Sequence, residues 1–171
     1  MLPPPNGCAI TQVLADSGAI VVAGALRNRA AVGQWLAGRL DEPQHRQTVV
    51  LLVPAGERWP DGSLRPAVED LWGAGGVAAA ILQRLGATPE GHPASGLLSP
   101  EAETARLAFT GVRDRVANEL AACASGRELV ESGWSDDVAI AGELDSSLSV
   151  PVLVDGAFQA EASLPDRRPE G

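Results

Sequence analysis

The chain has 171 residues, 45% of them hydrophobic and 20% charged, a balance that supports one globular core and excludes a disordered polymer. Its formal net charge is -9, all 13 basic residues are Arg, and no basic stripe is present, which excludes nucleic acid as a partner. No stretch approaches the length of a membrane span, and the opening MLPPPNG lacks the basic start and apolar run of a signal peptide. No membrane partner and a cytoplasmic location are therefore expected.

In chain order, Asn6 and Gly7 precede a helical run that begins near Ala9. Residues 19–24, AIVVAG, are a short apolar run bounded by Gly, the pattern of a strand buried on both faces. Ala31, Trp35, Leu36 and Leu40 then recur at helical spacing behind Asn28, a good capping residue, and predict a helix over 28–40. TVVLLVPAG, residues 48–56, has the strongest buried-strand pattern in the chain. A helix over 66–85 follows, with Pro66 at its start, Glu69 and Asp70 close behind and Gly86 at its end. Strand, helix, strand, helix implies a right-handed parallel crossover in a layered α/β domain.

Residues 87–99 are rich in Pro, Gly and Ser and read as an exposed loop. Ala105, Phe109, Val112, Val116 and Leu120 form one apolar face and predict a single helix over 100–122, started by Ser99 and Pro100. Shorter helices over 125–131 and 135–144 are separated by Gly133. SVPVLVDGAFQAEA closes the chain as a hairpin that turns at Asp155 and Gly156. The domain is expected to span 1–164, with a flexible tail expected over 165–171.

Three stretches carry candidate chemistry. In an open parallel sheet, ligands settle beyond the carboxyl ends of the strands, where AGERWPDGSLRPAVEDLWGAGG, residues 55–76, lies. Its Glu69 and Asp70 are oxygen donors of the kind Mg²⁺ takes when it works on a phosphate, or else two acids complementing a helix dipole. Asn6 with Gly7, and Arg27 with Asn28, open helices whose exposed N–H groups suit a phosphate or sulfonate, the alternative being two ordinary caps. Ser125 and Glu128 have capping-box spacing, while Ser125, Arg127, Asp136 and Asp137 could also face the same pocket. Cys8 and Cys123 have no metal-ligand spacing and read as small buried hydrophobes. His45 and His92 read as solvated residues, and the four Trp as core and rim packing.

Taken in order, PPNG, VVAGALRNRAAVGQWL, VVLLVPAGERWPDGSLRPAVEDLWGAGGVAAAI, CASGRELVESGWSDDVAIAGELDSSLSVPVL and DGAF resemble the 2-phosphosulfolactate phosphatase (ComB-like) family over residues 3–160. The resemblance implies a three-layer α/β/α fold with a mostly parallel sheet and a C-terminal hairpin. It also implies a Mg²⁺-dependent phosphatase that converts 2-phospho-3-sulfolactate, or a related phosphorylated hydroxy acid, to 3-sulfolactate and phosphate, a step linked to coenzyme M synthesis. The partner would be that small phosphorylated sulfonate, and a homo-oligomer is left open. Carried over by position, Glu69 and Asp70 would be catalytic, with Asp137 joining them at the metal. Asn6, Gly7, Arg27, Asn28, Gly56, Ser125 and Gly126 would bind substrate. Family members begin with a segment carrying an Asp-Val-(Leu or Phe)-Arg-Ala block, and this chain is expected to start after it. Cys8 stands where the family has Thr or Ser. The competing expectation is an inactive remnant that binds a small anion or a partner chain.

Overall fold

The computed structural model describes residues 6–45, 47–86 and 96–161. Helices α1 (Asn6–Asp16), α2 (Arg29–Leu40), α3 (Val68–Arg84), α4 (Pro100–Val112), α5 (Val116–Ala122), α6 (Ala124–Glu131) and α7 (Ser135–Ala141) make up most of it. Strands β1 (Glu57–Arg58) and β2 (Leu64–Arg65) form one short antiparallel hairpin, and β3 (Val150–Val154) and β4 (Ala157–Glu161) form another.

Helix α3 is the centre, packed between α2 and α4. Its small residues let the neighbours come in to backbone distance: a Cβ on Gly75 would lie 2.0 Å from the carbonyl oxygen of Ala105, and one on Gly33 of α2 would lie 2.4 Å from Ala80. Two apolar clusters fill the two sides. One joins Val32, Trp35, Val77 and Ile81 to Val150 and Val152 of β3. The other joins Trp72 and Phe109 to Val116, Leu120 and Val138. None of residues 7–16 of α1 is buried.

Arg29 is the exception inside this core. It is 5% exposed, lies over the Phe109 ring at 4.9 Å, and is neutralised by Asp145 at 2.5 Å. Burial pulls the guanidinium pKa down, and the Asp145 carboxylate opposes that pull. Asp145 also accepts the Ala30 N–H at 3.0 Å, so one carboxylate satisfies both the buried charge and the first turn of α2.

The hairpin forms at the residues the sequence points to. Val154 faces Ala157 across a two-residue turn in which Asp155 and Gly156 both have positive φ, 50° and 78°. Ser99 caps α4 through the Ala102 N–H, and Gly133 ends α6 at φ 87°. The single helix over 100–122 is instead two, α4 and α5, broken by a 3-10 turn at Arg113–Arg115. The 125–131 helix begins one residue earlier, and Cys123, not Ser125, caps it. Of the loop at 87–99, residues 87–95 lie outside the described residues, as do His92 and the tail at 165–171.

The expected three-layer α/β/α fold with a mostly parallel sheet is not what the chain forms. The two described sheets are antiparallel pairs, and the fold is dominated by helices. Residues 21–23 reach only β3: Val22 bridges Val152 antiparallel, with Ala23 N–H donating to Pro151 and Leu153 N–H to Val21, each at 2.9 Å. Residues 48–56 join no ladder. The physical reason is spatial: a cavity lies between the two apolar stretches, so neither meets the other's backbone. Apolar composition supplied the burial tendency of Val50 and Leu52, while pairing required a neighbour that the fold does not place there.

Replacing Asp145 by Ala leaves the Arg29 charge buried and alone. Because the Asp145 side chain is 33% exposed, a cost of about 2–4 kcal/mol in urea unfolding is expected. Arg29→Met, which removes the charge as well, should cost less than Asp145→Ala.

Candidate active site

A cavity of about 730 Å³ runs between residues 19–27 and 48–55 and ends among α3, α6 and α7. Its length is apolar. Its far end is polar, lined by Arg27, Glu69, Asp70, Cys123, Ser125 and Asp137.

Glu69 and Asp70 occupy the first turn of α3, whose N-cap, Ala67, offers no side-chain cap. Asp70 accepts the Gly56 N–H at 2.7 Å, tying the end of the 48–56 stretch to the helix start. Gly56 is required there: its φ is +67°, and a Cβ would meet Leu64 at 2.9 Å and the Arg65 carbonyl at 3.2 Å. Burial pushes the Asp70 carboxyl pKa up, the Gly56 N–H pulls it partly back, and the neighbouring Glu69 raises it further. Glu69 faces a thiol: Cys123 Sγ lies 3.6 Å from Glu69 Oε2 and donates to the Leu120 carbonyl at 3.1 Å. Burial also raises the Cys123 pKa and keeps it a neutral thiol, a direction the Gly126 N–H opposes and Glu69 supports.

Helix α6 presents its start to the same space. Gly126 N–H donates to Cys123 Sγ at 3.4 Å, and a Cβ on Gly126 would lie 1.7 Å from the Leu120 carbonyl, so only Gly allows α6 to close against α5. Ser125 Oγ accepts from Arg65 Nη2 at 3.2 Å, and Arg65 forks onto Glu128 at 2.9 and 3.0 Å. Arg65 also lies over Trp59, 5.3 Å from the ring centroid. The β1–β2 hairpin is thereby pinned to α6, and Ser125 and Glu128 serve that clamp where a capping box was expected.

The remaining candidates separate. Arg27 lines the cavity, donating to the Ile140 carbonyl at 3.2 Å and pairing with Glu143 at 3.2 Å. Asp137 lines it from α7. Asn28 is buried, with its amide committed to backbone: Oδ1 accepts from Ala25 N–H at 2.7 Å, and Nδ2 donates to the Ala23 and Ser149 carbonyls. It closes the turn before α2 and does not line the cavity. Gly7, at the start of α1, does not line it either, and the Asn6 side chain lies outside what is described. Cys123 and Arg65 were not read from the sequence as site residues. Cys123 carried one signal, its place two residues before the Ser-Gly block. Of the aromatic residues, Trp35 and Trp72 are core, whereas Trp59 and Trp134 are about half exposed. Cys8 is exposed, not a buried hydrophobe.

A family model described as 2-phosphosulpholactate phosphatase matches residues 2–156. The chain belongs to that family. No curated protein and no solved structure matched it. Membership makes the chain a family phosphatase by name, a hydrolase of phosphoric monoesters with a small phosphorylated substrate. No helix among the described residues is long and apolar enough to cross a membrane.

The donor set can be tested against the Mg²⁺ that the family resemblance implies. Among the described residues no three of His, Cys, Asp and Glu are gathered tightly enough to hold a metal by themselves, so Asp137 does not close a cage with Glu69 and Asp70. Glu69 and Asp70, both lining the cavity end, are oxygen donors of the type a Mg²⁺ ion takes when phosphate and water complete its shell.

Asp70 provides a stability test. Its folded pKa is raised, so the native state holds its proton more tightly than the unfolded chain does. Its contribution is full below the unfolded carboxylate range and is lost as pH rises through the folded value. Asp70→Asn, whose amide oxygen can still accept the Gly56 N–H, should remove that loss and unfold no earlier than the parent at pH 7. Thermal melts from pH 4 to 8 check this, and a variant that melts well below the parent at pH 7 would contradict it.

Proposed function

We propose that the chain hydrolyses 2-phospho-3-sulfolactate, or a closely related phosphorylated hydroxy acid, to the free hydroxy acid and phosphate, with Mg²⁺ held by Glu69 and Asp70. The observation that carries the reading is that Glu69 and Asp70 both line the polar end of the cavity, in a chain that belongs to a phosphatase family.

The substrate is a compact polyanion, and its phosphate must meet cations or oriented N–H groups. The start of α6, with Ser125 Oγ beside it, supplies such donors at the cavity end. Arg27, anchored by Ile140 and Glu143, retains further guanidinium donors for the sulfonate or carboxylate. Mg²⁺ when bound neutralises phosphate oxygens and orients water. In the net reaction a water oxygen bonds to phosphorus, the bond from phosphorus to the alkyl oxygen breaks, and that oxygen leaves with a proton as the hydroxyl. Gly56 fixes Asp70, so that carboxylate is held in place before substrate arrives, while Glu69 lies beside the Cys123 sulfur.

Phosphate release from 2-phosphosulfolactate tests the proposal. Turnover should require Mg²⁺ and stop with chelator. Asp70→Asn should lower kcat/KM by about 100-fold or more with the fold intact. Arg27→Ala should raise KM more than it lowers kcat, the mark of a residue that binds substrate and transition state alike. Full chelator-resistant activity, or full activity of Asp70→Asn, would remove the metal reading.

A further inference from the structure

Ser125 is the second residue of α6 and lines the polar end of the cavity. Its hydroxyl has no part in building the helix. The cap belongs to the Cys123 sulfur, which accepts the Gly126 N–H. Nor does the hydroxyl bond back along the chain as those of Thr104 and Thr110 in α4 do, each donating to the carbonyl four residues earlier. Among the described residues its one hydrogen bond is with Arg65, and there the oxygen accepts, so the hydroxyl proton is not spent on the fold.

Arg65 reaches that oxygen from outside the cavity, which it does not line. The β1–β2 hairpin brings it there, with Glu57 as its cross-strand partner. Three contacts fix the plane of its guanidinium. Nη1 and Nη2 donate to the two Glu128 oxygens at 2.9 and 3.0 Å, and the centroid of the Trp59 ring lies 5.3 Å from the guanidinium carbon. Held in that plane, Nη2 aims its other hydrogen at Ser125 Oγ, 3.2 Å away. The Arg65 side chain is only 16% exposed, which limits the competition of water for this fork.

A hydroxyl that accepts from a cation is polarised into a stronger donor, and its O–H bond turns away from that cation. The partner it then suits is an anionic oxygen. We propose that Arg65 is a positioning residue, which holds and polarises the Ser125 hydroxyl so that this group donates to a phosphate oxygen at the cavity end. The inference rests on the reading that phosphate occupies that end, and it adds to the site a residue that acts through Ser125 alone.

The test is a double-mutant cycle on the full chain, read by calorimetric titration with inorganic phosphate in the presence of Mg²⁺. Ser125→Ala should weaken phosphate binding about 10-fold, the loss of one hydrogen bond to a charged group. Arg65→Met should weaken it several-fold on its own and hardly at all in the Ser125→Ala background, because the two residues act in series. A clamp that merely pinned the hairpin to α6 would cost the same in both backgrounds. Arg65→Lys keeps a charge for Glu128 and lacks the planar fork, so it should melt like the parent yet bind phosphate nearly as weakly as Arg65→Met. Additive losses, phosphate binding by Arg65→Lys equal to the parent's, or no phosphate binding by the parent would overturn the proposal. Turnover of 2-phosphosulfolactate together with additive losses would overturn this inference and leave the hydrolysis standing. Coupled phosphate binding without turnover would support the inference and overturn the hydrolysis instead.

Discussion

One hydrogen bond, from the Gly56 N–H to Asp70, sets the geometry of the site. It joins the end of the apolar stretch at 48–56 to the first turn of α3, and α3 is the helix around which α2 and α4 pack. Because Gly56 sits at positive φ with Leu64 and Arg65 against it, the chain reverses into the β1–β2 hairpin at that point. Arg65 at the far end of the hairpin then reaches Ser125 and Glu128 of α6. The bond thus fixes a carboxylate, and the chain that leaves it carries the clamp bringing α6 to the same cavity end.

Elsewhere the core works by close approach. Gly33 and Gly75 let three helices touch at the backbone, and the buried Arg29 is admitted only because Asp145 meets it. Asn28 performs a related task with neutral groups, bonding Ala25, Ala23 and Ser149 so that the residue before α2 is locked to the chain entering β3. Residues read from sequence as anion binders can therefore carry structural work. Asn28 is such a residue, while Glu69, Asp70, Ser125, Gly126 and Asp137 are brought to one cavity.

Local chemistry made much of this legible. Asp155-Gly156 named its turn, Ser99-Pro100 named the start of α4, and the 3.6-residue spacing of Ala31 and Trp35 named α2, because each signal acts within a few residues. Long-range facts were not legible. TVVLLV has the composition of a buried strand, but whether another strand lies beside it is decided by distant parts of the chain, and here a cavity does. Ser125 matched a capping box by spacing, yet Arg65, sixty positions away, draws its hydroxyl and Glu128 into an ion-pair clamp and leaves the cap to the Cys123 sulfur. The polar end of the cavity was anticipated because the loop after residue 53 and the start of α3 are adjacent in sequence, whereas the contribution of Cys123 depended on how α5 and α6 meet.

The central claim is that the polar end of the cavity receives the anionic ligand. Amide shift mapping during titration with 3-sulfolactate, the product of the proposed reaction, addresses it directly. The account predicts that the largest saturable shifts fall on Gly56, Asp70, Ser125 and Gly126. Shifts centred on Asn6 and Gly7 instead, with the cavity end unmoved, would contradict it.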